Sequence, residues 1–152
     1  MKPMEGIWKK EFEIEELNRF SKGSIVSTVG IQFLEKGLDF ISATMPVDNR
    51  TKQPLGILHG GASVVLAETL GSTASYMTLD DSCYSVGLEI NANHLKSVTR
   101  GMVVGVVKPV HLGKTTQVWD ISIKNEEEKL ICISRLTMAI LKTPADDSEY
   151  RL

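Results

Sequence analysis

Glu68 is the only charged residue between His59 and Asp80. It stands among Val64, Val65, Leu66, Ala67 and Leu70, where a carboxylate is expensive to bury without a partner. Either it pairs with a cation, for which Arg50, Lys52 and Arg135 are candidates, or it faces a site as a base or nucleophile. Three neighbouring features suit the second role. His59-Gly60-Gly61 opens the run, and a helix starting there offers unpaired N–H groups and the positive end of its dipole. Glycines at that point let a substrate oxygen approach the backbone, as a developing oxyanion requires. Gln53 lies just upstream, with an amide able to donate to a carbonyl, and Ser72 is four residues beyond Glu68 on the same helical face. A hydroxyl there can hold a water that the carboxylate activates.

Spacing limits how these groups combine. Glu68 lies eight residues beyond Gly60, which is two turns and about 12 Å along one helix. The two cannot share a reacting carbon within one helix. They can meet across a dimer in which the helices of two copies run antiparallel.

Other catalytic templates fail. Gly61-Ala-Ser63-Val-Val65 begins like a nucleophile elbow, but Val65 replaces the second glycine and Ser63 falls inside the helix. His59, His94 and His111 lack a metal-ligand spacing, and no glycine-rich phosphate loop is present, so neither a metal nor a cofactor is expected. Cys83 and Cys132 are too few for a disulfide framework, and Cys132 reads as core.

The elements that must position these groups follow from periodicity. Phe12, Leu17 and Phe20 among charges predict a short amphipathic helix. Strand patterns run from Thr28 to Lys36 and from Leu38 to Val47, joined by a turn at Gly37-Leu38-Asp39. A helix from Gly60 to Met77 is small or apolar all round and is therefore expected to be buried. Tyr84–Leu95, Gly101–Leu112, Thr115–Lys124 and Lys129–Leu141 read as four consecutive strands of an antiparallel meander. One sheet buries an apolar helix by curling around it, giving an α+β fold of about six strands wrapped on one long helix. Such a sheet leaves edges, and pairing with a second copy is the expected remedy.

With 152 residues the chain is expected to form one domain over 1–143, followed by a polar tail over 144–152. Seventeen basic against nineteen acidic residues give a net charge of −2, which argues against nucleic acid or an anionic membrane as partner. Glu126-Glu127-Glu128-Lys129 reads as a solvated turn. The N-terminal ten residues lack the apolar segment of a signal peptide, and no stretch approaches the roughly 20 apolar residues of a membrane helix, so a cytoplasmic protein is expected.

The run from Met45 through Gln53-Pro-Leu-Gly-Ile-Leu-His59-Gly-Gly to Glu68 resembles the hotdog-fold acyl-CoA thioesterases. Gly87-Leu-Glu-Ile-Asn-Ala-Asn-His94, His111-Leu-Gly-Lys-Thr-Thr-Gln-Val-Trp119 and Ser134-Arg-Leu-Thr137 extend the likeness over about Ile7 to Leu141. Within the family it is nearest to the 1,4-dihydroxy-2-naphthoyl-CoA thioesterases of menaquinone biosynthesis, with aryl-CoA and enterobactin proofreading thioesterases close by. The resemblance implies Glu68 as catalytic nucleophile or general base, Gly60 as oxyanion donor, Gln53 as the group orienting the thioester carbonyl, His59 as a shaper of that end, and Ser72 as the hydroxyl assisting Glu68. It further implies that Glu68 comes from the subunit opposite Gln53 and Gly60, in a homodimer with shared sites that pairs into a tetramer. Gly87, His94, Leu95, Lys96 and Ser97, then His111, Leu112, Gly113, Lys114, Thr115 and Thr116, match segments lining the CoA and acyl site. Lys96, Lys114 and Arg135 are basic enough to meet CoA phosphates.

Hydrolysis needs no further group: a thioester has little resonance stabilisation and a good leaving group, so a carboxylate and an oxyanion hole suffice. The alternatives are a broad acyl-CoA or acyl-carrier-protein proofreading thioesterase, or a non-catalytic acyl-CoA binding module. A hydratase of this fold would need an aspartate near the helix, and none lies between Asp48 and Asp80.

Overall fold

The computed structural model describes residues 6–144; most of the predicted C-terminal tail lies outside them. In chain order the elements are α1 (Ile14–Phe20), α2 (Ile25–Thr28), β1 (Gln32–Lys36), β2 (Ile41–Pro46), α3 (Gly60–Met77), β3 (Cys83–His94), β4 (Met102–Leu112), β5 (Thr116–Asn125) and β6 (Leu130–Lys142). The six strands form one antiparallel sheet in the order β1-β2-β4-β5-β6-β3.

Alternation along the strands turns one face of the sheet onto α3. Ile41, Ala43 and Met45 of β2, Val103 and Val107 of β4, Trp119, Ile121 and Ile123 of β5, and Leu136 and Met138 of β6 are buried with Leu66, Leu70 and Ala74 of the helix. Each large side chain so buried contributes roughly 1.5–3 kcal/mol. Gly71 lets Leu136 in: a Cβ there would lie 2.5 Å from Leu136 Cδ2.

A buried polar network fixes the rotation of α3 on the sheet. Gln117 Oε1 accepts from Ser75 Oγ at 2.7 Å and from Trp119 Nε1 at 3.1 Å, while Gln117 Nε2 donates to Thr78 Oγ1 at 2.9 Å. Thr78 Oγ1 donates in turn to Ser75 O at 2.7 Å. Every polar atom of the Gln117 side chain is thereby engaged, as burial demands.

Three expectations are corrected. First, Thr28 does not begin a strand; it ends α2. Ser24 Oγ accepts from Val26 N, and the helix closes with Gly30 N donating to Ser27 O and Ile31 N to Val26 O. That double closure needs a left-handed residue, and Gly30 has φ +77°. Second, the last four strands are not a simple meander. β3 pairs with β6 rather than β4, at the far side of the sheet. The segment between β3 and β4 is a crossover: Leu95 N donates to Ile131 O, and Val98, itself buried, accepts from Leu58 N.

The helix is also not buried all round. Gly61, Val64, Val65, Glu68, Thr69, Ser72, Thr73 and Tyr76 form a partly exposed stripe that the chain's own sheet leaves uncovered. The sheet edges differ as well. Asn18 of α1 pairs with β1 as a strand would, donating to Phe33 O at 3.0 Å and accepting from Phe33 N at 2.8 Å. β3 has no neighbour on its outer side among the described residues, and Val86 to Glu89 are exposed along it.

Candidate active site

The loop before α3 is built to present two donors. Thr51 Oγ1 donates to Pro46 O at 2.7 Å and accepts from Asp48 N, and His59 N donates to Thr51 O at 2.8 Å. Arg50 closes on Asp48 at 2.7 Å, and that guanidinium holds the Asp48 carboxyl below the usual carboxylate range. A tight turn follows, with Gln53 N donating to Ile57 O and Gly56 N to Gln53 O. Gln53 Oε1 accepts from Leu55 N at 2.6 Å. The amide oxygen is therefore committed to the turn, and the NH₂ group is the end left for a ligand.

His59 is the N-cap of α3. Its Nδ1 accepts from Gly61 N at 2.8 Å, and its carbonyl accepts from Ala62 N and Ser63 N. Among the first four N–H groups of the helix, only that of Gly60 has no partner among the described residues. The imidazole of His94 lies against it: a Cβ on Gly60 would sit 2.8 Å from His94 Nε2. Gln53, Gly60, His94, Leu95, Lys96 and Ser97 line a cavity of about 350 Å³ together with Ser63, Ile57, Leu58 and Ile131.

Glu68 lies two turns further along. No ion pair or hydrogen bond engages it among the described residues, since Arg50 pairs with Asp48 and Arg135 with Asp120. Its carboxylate rests on β3 instead. A Cβ on Gly87 would come within 3.0 Å of Glu68 Oε1, beside a bulge that interrupts the β3–β6 register between Gly87 and Glu89. Only the bare backbone of a glycine gives the carboxylate that room. Gly87→Ala is expected to shift it by a few tenths of an ångström and to lower kcat about tenfold with little change in melting temperature. Steady-state kinetics beside a thermal melt test this; an unchanged kcat would show that Gly87 does not position the carboxylate.

Ser72 opens a second, larger cavity of about 890 Å³ between α3, β3 and α1. Within one subunit the predicted residues thus fall into two groups. Gln53, His59, Gly60 and His94 to Ser97 gather at the start of α3, whereas Glu68, Ser72 and Gly87 gather two turns on. His111 and Leu112 end β4, Gly113, Lys114 and Thr115 make the turn and Thr116 opens β5, and none of them lines either cavity. Arg135 is exposed and committed at 3.5 Å to Asp120.

The sequence did not point to α1 as a cavity wall, although Phe20, the exposed aromatic of that amphipathic segment, was the available signal. Cys132 is buried, and desolvation pushes its thiol upward, so it is no nucleophile.

A helix half-wrapped by one antiparallel sheet, with a free N–H at its start and an unpaired carboxylate on its uncovered stripe, defines the class as a hotdog-type protein. The sequence profile of the thioesterase superfamily matches residues 55–132. The chain is 54% identical to 1,4-dihydroxy-2-naphthoyl-CoA hydrolase of Escherichia coli, over 89% of this chain and 99% of that one. It is 49% identical to the proofreading thioesterase EntH of Cronobacter turicensis, over 89% of this chain and 98% of that one. The crystal structure of a thioesterase from Haemophilus influenzae superposes with a TM-score of 0.89 at 48% identity, covering 95% of this chain and 99% of that chain. The chain belongs to the thioesterase superfamily, and it is a thioester hydrolase with the hotdog fold.

Proposed function

We propose that the protein hydrolyses an aryl-CoA thioester, 1,4-dihydroxy-2-naphthoyl-CoA, to the free acid and CoA, in menaquinone biosynthesis. The observation that carries the mechanism is the pairing, on one helix, of a partnerless carboxylate at Glu68 with a partnerless N–H at Gly60. The 54% identity to the Escherichia coli hydrolase supports the choice of substrate.

The working unit is a homodimer with shared sites. Two β3 edges joined antiparallel about an axis near Ile90 and Asn91 bring Gly87 of one copy opposite His94 of the other. The Glu68 carboxylate of one subunit then faces the Gly60 N–H and Gln53 amide of its mate, and the uncovered stripe of α3 is closed. Two such dimers pairing into a tetramer complete the assembly. The thioester carbonyl accepts from Gly60 N–H and from Gln53 Nε2, both aimed where negative charge develops. His59 keeps Gly61 N–H engaged and so keeps the start of the helix in shape.

Glu68 has two routes from there. It adds to the acyl carbon to form an anhydride that water opens, or it takes a proton from a water, held by Ser72, that adds directly. In both, the carbon–sulfur bond breaks, the acid gains oxygen from water, and the CoA thiolate takes up a proton. Lys96 lines the cavity beside His94, which supports it as a contact for CoA phosphate. A CoA thioester substrate supports a cytoplasmic location; no described helix is long and apolar enough to cross a membrane.

A broader proofreading role on acyl-CoA or acyl-carrier-protein thioesters is the second reading, favoured by the 49% identity to EntH. Thiol release from 1,4-dihydroxy-2-naphthoyl-CoA, benzoyl-CoA, and hexanoyl-, lauroyl- and palmitoyl-CoA separates the two. The aryl thioesters are expected to give the highest kcat/KM. A preference for fatty acyl chains would move the assignment to the second reading, and no release from any of them would overturn both.

A further inference from the structure

The cavity between α1 and α3 begins at the carboxylate's own neighbours. Ser72 is one helical turn past Glu68, and Val86 adjoins the Gly87 on which the carboxylate rests; both line it. Its far side is made by α1 and the residues before it, which lie outside the 55–132 span shared with the superfamily. The walls are aromatic: Phe12 and Phe20 from the N-terminal side, Tyr76 from α3 and Tyr84 from β3. At about 890 Å³ the space exceeds what a single ring fills, and it lies within the range of drug-sized ligand pockets.

The charges around it are unequal. Lys10 is committed to Asp81 at 2.6 Å and lies 4.8 Å from the centroid of the Tyr76 ring, and Glu16 accepts from Glu13 N. Arg19 and Glu11 line the cavity without an ion-pair partner among the described residues. Phe20 is 63% exposed beside them.

We propose that α1 is the specificity wall of the acyl pocket. A fused-ring aromatic acyl group lies in this cavity, with Phe20 closing its outer side and Arg19 donating to the 4-hydroxyl of the ring. A hydroxyl suits the site better than a carboxylate, because Glu11 repels an anion and accepts from a phenol. The proposal rests on the thioesterase reading above and adds the determinant of its acyl preference.

The test uses the 152-residue chain with benzoyl-CoA, 2-naphthoyl-CoA and 4-hydroxy-2-naphthoyl-CoA, comparing wild type with Phe20→Ala, Arg19→Met and Arg19→Lys. Both side chains are exposed, so the variants are expected to fold, and a thermal melt checks this. Phe20→Ala should raise KM for both naphthoyl substrates about tenfold and leave benzoyl-CoA within about twofold. Arg19→Met should erase a preference of about threefold to tenfold for the hydroxylated over the plain naphthoyl group, and Arg19→Lys should restore part of it. If folded variants keep the wild-type ratios between the three substrates, the acyl group does not reach α1 and the proposal fails while the hydrolase stands. If wild type cleaves aliphatic acyl-CoA but no aryl substrate, the wall is likewise refuted. If wild type releases CoA from nothing, the functional reading itself falls and takes the proposal with it.

Discussion

Glu68→Ala is expected to lower kcat/KM for the preferred acyl-CoA by about a thousandfold while leaving the melting temperature unchanged or slightly raised. The two halves of that result belong together. A carboxylate held by an ion pair or hydrogen bonds would cost stability on removal. Glu68 has neither among the described residues, stands on a partly exposed stripe, and rests on the backbone of Gly87. Deleting it orphans no partner. Glu68→Gln keeps the shape and loses the negative charge, so it should bind substrate with a near-normal Kd and turn over as poorly as the alanine variant. Thiol release, a thermal melt and equilibrium binding read these quantities. Activity within tenfold of wild type in both variants would remove Glu68 from the chemistry; a large drop in melting temperature with the same loss would make it structural.

Mixing two dead enzymes should give a live one. Gln53→Ala removes the carbonyl donor and Glu68→Ala the carboxylate, and each homodimer carries that defect in both sites. If the sites are shared, a mixed dimer has one site with both defects and one with none. Random pairing makes half of all dimers mixed, so about a quarter of wild-type activity returns after co-refolding. The basis is the rise of a helix: Gly60 and Glu68 are about 12 Å apart along α3, and no rotamer brings the carboxylate to the glycine N–H of its own chain. Activity no higher than the sum of the two unmixed variants would mean that each site is built within one subunit.

That separation was legible in the sequence, because a helix converts residue count into distance. So were the bounds of α3, where His59-Gly60-Gly61 marks the start and an unbroken apolar run carries to Met77. α2 was not. Thr28 is β-branched and reads as the start of a strand, and the decisive signals were the cap at Ser24 and the left-handed Gly30. The place of β3 depends on backbone hydrogen bonds made by Leu95 and Val98 to distant residues, which no local pattern records. At the site, residue types pointed to the oxyanion end, but the division of labour there is conformational. His59 holds Gly61 N–H so that Gly60 N–H stays free, and Gln53 spends its oxygen on its own turn. Periodicity could mark α1 as amphipathic without showing that Phe12, Leu17, Arg19 and Phe20 border a cavity.

Asn18 lies far from this chemistry, yet it bears on how many copies can join. A sheet open at both edges is a polymerisation unit: each added copy offers a fresh edge to the next, and the product is a fibre. Here the Asn18 side chain occupies the backbone groups of Phe33 on the β1 edge, leaving β3 as the edge still able to accept a strand. An edge that pairs with its own copy about a two-fold axis is consumed in the act, so growth along the hydrogen-bonding direction stops at two. One asparagine amide thus acts as a chain terminator on the β1 edge, at the opposite side of the sheet from the β3 edge through which the proposed dimer would join.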